Sequence, residues 1–513
     1  MGQRIEFGTA ILDVEPRARR SGYEPSADTP FRIALIGDFR GRASRGLRYG
    51  PDRLEGCRAW PVDKDDFHTL LERVGPAIET PAGPLELRDM DDFHPDALYA
   101  QAPVFVELRR LRKLLRDPDG FRAAARELLA SSPENEPAPP PTAQPADGGS
   151  VLDAILSGGA GAELPAARPA AKPAAAPQDA EWKSFLRGIV APHVVPKADP
   201  RQQELLAQLD EAVLEQMRLT LHNPAFQSVE ACWRSAFLLL DRLETGVELK
   251  IDLIDLSRAE VLEDLAAAAD ELEESGLYRL LVDEGAGQPG AQAFSAVAWL
   301  ESAGDAPDEL TALRTFARIG AQAGAPILVS ASPKLVGRDA LDRDDEPRGW
   351  SFQAADPELE AAYLELRKSP EAHWLALSFP RFLLRTPYGE EGSSTDLPGF
   401  EELSERPKHD EMLWGAGPAA LACLLGEAFM RSGWELRPGA VGLLDRRPVW
   451  HVGKGADREM VPGAEVWLTD AAVERVVERG LSPLVSVKGR DAIAAPRLQS
   501  AASPPAPLAG PWD

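Results

Sequence analysis

The chain has 513 residues, with 56 Lys plus Arg against 82 Asp plus Glu, a formal net charge of −26. That balance argues against nucleic acid or an anionic membrane surface as the main partner, because both require a basic footprint. Apolar residues at 44% and charged residues at 27% describe a chain that can bury a core, and the length allows about two to four domains.

Arg4 to Val14 opens the chain, with Ile5 and Phe7 alternating with polar neighbours as in a short strand. Phe31 to Phe39 reads as a buried strand ending in a turn, and Leu85 to Leu87 as a second strand. A helix start is expected at Pro95 to Leu98. A firmer helix spans Val104 to Arg116, with Phe105, Leu108, Leu111 and Leu115 on one side and Arg109, Arg112, Lys113 and Arg116 away from it. Pro133 to Ala180 then holds 10 Pro and 14 Ala in 48 residues. Such a segment cannot bury enough apolar surface to offset its ordering and reads as a disordered, semi-extended linker. One island interrupts it: Val151, Leu152, Ile155 and Leu156 share a helical face, with Ser150 as N-cap. A short amphipathic helix of this kind can be a docking motif or a stray apolar stretch.

After the linker, Leu206 to Leu221 and Phe226 to Leu240 keep helical spacing. Leu249 to Leu256 alternates as a strand, and Ser257 caps an acidic helix. Leu277 to Val282, Phe294 to Leu300 and Pro326 to Ser330 are further strand candidates, with a helix over Leu310 to Gly324. The alternation predicts an α/β fold with mixed sheets flanked by helices. The boundaries read as 1–132, a linker at 133–180, and 181–513.

Little in the chain specifies chemistry. Cys57, Cys232 and Cys423 are too few and too scattered for a disulfide framework or a metal set, which fits a reducing compartment. No apolar run of about 18 residues occurs, and Met1 to Pro16 lacks the apolar core of a secretory signal. No membrane insertion is expected, and a cytoplasmic location is. Gly37-Asp38-Phe39-Arg40-Gly41 follows a strand but lacks both dinucleotide and P-loop signatures. His94, in Asp91-Asp92-Phe93-His94-Pro95-Asp96, offers an imidazole beside carboxylates; it also fits a helix cap with Pro95 at the first position. No cofactor, metal or catalytic residue is expected, and nucleotide binding at Asp38 or His94 is the enzyme alternative. Arg381 to Gly389, bracketed by Pro380 and Pro387, reads as a rigid packed loop with paired arginines. Eleven tryptophans mildly favour an assembly protein, since aromatic anchors concentrate at interfaces.

Several stretches then carry a family resemblance. Phe31 to Phe39, Val62 to Phe67, Asp91 to Leu98 and Leu108 to Pro118 resemble the small sheath subunit of the bacterial type VI secretion system (TssB, or VipA). Leu221 to Gln227, Glu230 to Arg234, Leu366 to Ala372, Pro380 to Gly389 and His409 with Leu413-Trp414-Gly415 resemble the large subunit (TssC, or VipB). Gly433-Trp434, Glu465 to Asp470 and Gly480 to Gly489 continue that match in order. The glycine-rich stretch near Gly285 to Gly290 matches loosely, and the two subunits are joined in one polypeptide.

The resemblance implies a subunit of a phage-tail-like contractile sheath without an active site. Such subunits form a helical polymer around an inner tube, dock on baseplate components, exchange strands between protomers, and are recycled by an AAA+ unfoldase. The expected strand donors are Ile5, Phe7, Ile11, Leu12 and Val14 at the start, and Leu484, Val485 and Val487 near the end. The unfoldase is expected at Val151, Leu152, Ile155 and Leu156, because a helix in that place is recognised in some family members. The alternative role is a sheath-like adaptor or cap that does not contract.

Overall fold

The computed structural model describes Arg4–Phe7, Ala10–Asp13 and residues 25–26, 28–50, 54–117, 121, 200–285, 292–342, 346–404, 407–439, 442–452 and 459–512. The Pro/Ala segment, its island at 150–156, and Val14 fall outside these residues. The described chain divides into two compact units, one of 1–107 with 212–513 and one of 108–211.

In chain order, a hairpin pairs β1 (Arg4–Phe7) with β2 (Ala10–Asp13), placing Ile5 opposite Leu12. β3 (Phe31–Gly37), β4 (Ala59–Val62) and α1 (Phe67–Val74) follow. β5 (Ala77–Thr80) and β6 (Gly83–Glu86) make a second hairpin before α2 (Pro95–Gln101) and α3 (Pro103–Arg116). The later part has α4 (Pro200–Leu221), α5 (Pro224–Arg242), β7 (Leu249–Asp255), α6 (Arg258–Ala267), β8 (Ala296–Ala303), α7 (Pro307–Ala323) and β9 (Ile327–Ala331). Then come α8 (Pro357–Lys368), β10 (Leu375–Phe379), the pair β11 (Phe382–Leu383) and β12 (Trp414–Gly415), and α9 (Gly417–Ser432). β13 (Leu443–Leu444), β14 (His451–Val452), β15 (Glu459–Met460), α10 (Asp470–Glu478), β16 (Leu481–Pro483), β17 (Val485–Ser486) and β18 (Ile493–Ala494) complete it.

Seven strands form one sheet in the order β16-β10-β9-β8-β3-β7-β4. Its strands are parallel except β4, which runs antiparallel on β7 at the edge. Pro61 on β4 suits an edge, since proline has no N–H to donate to a further strand. β3 lies between β7 and β8, with Ile33 level with Ile251 on one side and Ala296 on the other. Strands from before and after the Pro/Ala segment therefore share a sheet, and that segment is not a boundary between sheets. The cause is in the strands. β3 is a nearly continuous apolar run, stable only when paired along both edges and covered on both faces; β7 alternates, and its Asp252 holds Arg32 of β3 at 2.7 Å.

Alternate residues serve the two faces. Ala34, Ile36, Val297, Trp299, Ile327 and Leu377 pack with apolar residues of α6, α7, α8 and α10. The residues between them, such as Leu35, Ala298 and Leu328, are equally buried, and α9 lies against β3, β8, β9 and β10 with α5 beside it. Close approach on that face requires glycine: a Cβ on Gly417 would stand 2.4 Å from Ser378 Oγ, and one on Gly37 would stand 2.7 Å from Cys232 Sγ.

The expected strand at Leu277 to Val282 is helical instead, one α-turn at Gly276–Tyr278 running into a π-helical turn at Arg279–Asp283. Leu277, Leu280 and Leu281 are buried, a 3/4 spacing that an apolar run alone does not distinguish from a strand. Asp264 decides it, accepting from Ser275 Oγ and from the Gly276 and Leu277 backbone N–H groups at the helix start.

The smaller unit has its own core of Leu111, Leu115 and Leu209, with Leu108, Leu205 and Leu206 against it. Arg112 holds Asp210 through two hydrogen bonds of 2.6 and 2.9 Å.

Candidate functional site

The turn after β3 is a clasp and not a phosphate cradle. Asp38 accepts from the backbone N–H groups of Arg42 and Ala43, both at 2.8 Å, so its carboxylate is committed to the turn. Arg42 points inward. Its Nε donates to Asp255 at 2.7 Å, and its two terminal nitrogens donate to the Glu260 carboxylate at 2.8 and 2.7 Å. Tyr49 covers the guanidinium face at 3.9 Å. Burial alone would lower the Arg42 pKa, but Glu260 and Asp255 outweigh it, and the guanidinium stays charged. Glu260 also closes a capping box with Ser257 at the start of α6. One arginine thus ties the β3 turn to the end of β7 and to the helix after it.

His94 is the N-cap of α2, with Pro95 at its first position. Its Nδ1 accepts from the Asp96 backbone N–H, and its Nε2 donates to Ser394 O at 3.2 Å. Asp96 accepts from Thr395 Oγ1 at 2.6 Å and from the Asp396 backbone N–H. Both groups of the supposed acid–base pair are thereby occupied in joining the early part of the chain to the 394–396 loop. Among the described residues no group of three or more His, Cys, Asp or Glu could hold a metal ion, and no helix is long and apolar enough to cross a membrane.

The Arg381 to Gly389 loop has the paired arginines expected of it. Arg385 donates to Glu230 at 2.9 Å and to both oxygens of Glu402 at 2.7 and 2.8 Å. Arg381 binds Glu465 through its backbone N–H and its guanidinium, and His409 Nε2 adds a bond of 2.9 Å. Burial would raise the Glu465 carboxyl, yet Arg381 and His409 hold it down at about 2. None of the described tryptophans is exposed: Trp233 and Trp299 are fully buried core residues, while Trp374, Trp434, Trp450, Trp467 and Trp512 are half-buried. The three cysteines are buried thiols, and burial pushes Cys57 and Cys423 up to about 12.

Glu301, near the end of β8, makes no hydrogen bond or ion pair with another described residue, and burial pushes its carboxyl up to about 7. Between the ordinary value of 4.5 and about 7 the folded chain keeps a proton that the unfolded chain releases, so stability falls as pH rises through that window. Glu301→Gln is therefore expected to match the parent at pH 4 and to exceed it by about 1–3 kcal/mol at pH 8. Urea midpoints across that range check this; equal midpoints at pH 8 would refute it.

The expected assembly residues fall into three groups. Ile5 and Phe7 lie on β1, and Ile11 and Leu12 on β2; among the described residues this hairpin has no third strand. No described strand pairs with its outer edges, and an open edge is the template for strand addition. Leu484, Val485 and Val487 are engaged within their own chain. Leu484 is buried and donates to Phe379 O at 2.8 Å, Val485 pairs with Ala494, and Val487 donates to Ala492 O. Val151, Leu152, Ile155 and Leu156 are outside the described residues, as is Val14. Sequence reasoning missed Glu230, Glu260 and Glu402, the buried acids of the arginine clusters. The one available signal was Glu230, an acid inside the apolar run Phe226 to Leu240.

Residues 203–502, from α4 through β18, match the model of the VipB family, described as EvpB/VC_A0108, tail sheath N-terminal domain. Over 308 residues the chain is 26% identical to the type VI secretion system sheath protein TssC1 of Pseudomonas aeruginosa, covering 59% of this chain and 61% of that relative. The chain thus spans about three fifths of the length of the curated relative it matches. Because the family match takes in more than half of the chain and all of its later strands, β7 to β18, the protein belongs to the VipB tail-sheath family.

Proposed function

We propose that this chain is a structural subunit of a type VI secretion sheath, with a small-subunit-like part joined to the large-subunit part in one polypeptide. The carrying observation is the place of β3. The family match begins at residue 203, yet the sheet of the matched region has β3, from residues 31–37, between β7 and β8. The early part of the chain supplies what a separate small subunit would supply, a central strand that the later part lacks. On this reading the role is structural, not catalytic, and the location cytoplasmic. The copies polymerise around an inner tube, dock on baseplate components, contract, and are recycled by an AAA+ unfoldase that docks at Val151 to Leu156.

The N-terminal hairpin supports strand addition between protomers, since main-chain pairing across copies gives affinity without a side-chain pocket. Negative-stain microscopy of the purified full chain tests the reading, and long tubes are expected. Discrete particles at every concentration and salt would overturn it and favour the non-contractile adaptor.

A further inference from the structure

The carboxyl ends of β8, β9 and β10 open into a crevice of about 620 Å³. In open parallel sheets this is the end at which ligands enter, because the loops diverge there. Glu301 lies within the crevice, and Asp305, Asp339 and Asp410 stand exposed around it. The basic side chains lining it are Arg381 and His409, and Glu465 already holds both. Asp305 is held by Arg258 and Ser332, so three carboxylates, Glu301, Asp339 and Asp410, remain beyond that triad, and Glu301 makes no hydrogen bond or ion pair among the described residues. An arginine side chain matches such a set of carboxylates, since its guanidinium forks onto them through paired N–H groups.

The chain carries such a ligand. Arg17, Arg19 and Arg20 lie in Pro16 to Tyr23, a stretch with no acid. The segment is outside the described residues, between Asp13 at the end of β2 and Phe31 at the start of β3. β3 runs parallel to β8, so the segment joins the sheet at the amino ends of its strands. The crevice lies at the carboxyl ends, about 20 Å further along a seven-residue strand. Within one chain the arginines would have to run back along the whole sheet. Two copies stacked along the strand direction bring the amino end of one to the crevice of the next.

We propose that the crevice receives the Arg17-Ala18-Arg19-Arg20 segment of a second copy of the chain. The contact uses different surfaces on the two copies, does not close on itself, and so propagates as a filament. It rests on the self-assembling reading above and names the charge pair that sets the stacking direction.

The test is a labelled peptide of residues 14–23, titrated by fluorescence anisotropy onto the full chain carrying Arg17→Ala, Arg19→Ala and Arg20→Ala. At pH 8, where Glu301 is ionised, saturable binding is expected, weakened about tenfold or more between roughly 50 and 300 mM salt. Adding Glu301→Gln and Asp410→Asn should weaken it by about tenfold again, with thermal unfolding showing that the variant is folded. Absent binding, or equal binding in that variant, overturns the proposal. So does tenfold weaker binding to the unsubstituted chain at concentrations where sedimentation shows a monomer, because the segment would then fill its own crevice. Tubes without peptide binding would leave the sheath reading standing and remove this one. Peptide binding without tubes would do the reverse.

Discussion

Replacing Arg385 by leucine is expected to destabilise the fold by about 3–5 kcal/mol at pH 7, read as a fall in the urea midpoint. The size follows from what is left behind. Glu230 is 0% exposed and Glu402 is 1% exposed, and Arg385 is the cation that reaches both. Burial alone would raise the Glu230 carboxyl, but Arg385 and Arg234 hold it below its ordinary value, so it is charged at neutral pH. Without Arg385, Glu402 keeps the Tyr388 backbone N–H at 2.7 Å and His222 at 4.0 Å, neither a sufficient counter-charge. Adding Glu402→Gln to Arg385→Leu should recover most of the loss, because Glu402 is then neutral and Glu230 keeps Arg234 at 2.7 Å. A single-variant loss below about 1 kcal/mol would mean that water reaches the cluster and would refute its role.

The same cluster shows where sequence reasoning stops. Phe31 to Gly37 and Ile327 to Ala331 are legible as strands because buried parallel strands are apolar at nearly every position, and Leu249 to Asp255 is legible from its alternation. α5 and α7 are legible from their 3.6-residue spacing. The order of the sheet is not. Nothing local to β3 says that its neighbours lie more than 200 residues downstream, since main-chain pairing is the same for any extended partner. Nor can spacing show which acid meets Arg42 or Arg385, when the partners are 213 and 155 residues away. His94 was decidable because a cap is local chemistry, whereas Leu277 to Val282 was not, because the carboxylate that starts its helix comes from Asp264. The assembly residues divide along the same line: an alternating N-terminal strand can be read from its own residues, but whether Leu484 is free depends on Phe379, which pairs with it from 105 positions earlier.

Removing residues 1–14 is expected to leave the fold intact and to abolish tubes. β1 and β2 pair only with each other among the described residues, and the seven-stranded sheet begins with β3. The unfolding free energy from urea titration should therefore change by less than about 0.5 kcal/mol. Assembly should suffer far more. A four-residue strand added to a neighbour makes a few main-chain hydrogen bonds, together about 3 kcal/mol, or roughly 100-fold in the concentration at which tubes form. Glu6→Pro separates strand addition from a mere loss of mass, because it keeps the length and removes one N–H from β1. If strand addition holds the copies together, both variants stay folded and fail to form tubes at concentrations where the full chain assembles. The arginine segment is retained in both, so their loss of tubes would come from the hairpin alone. Intact tubes from the deletion variant would exclude the hairpin as donor and place the contacts between copies on the folded unit itself.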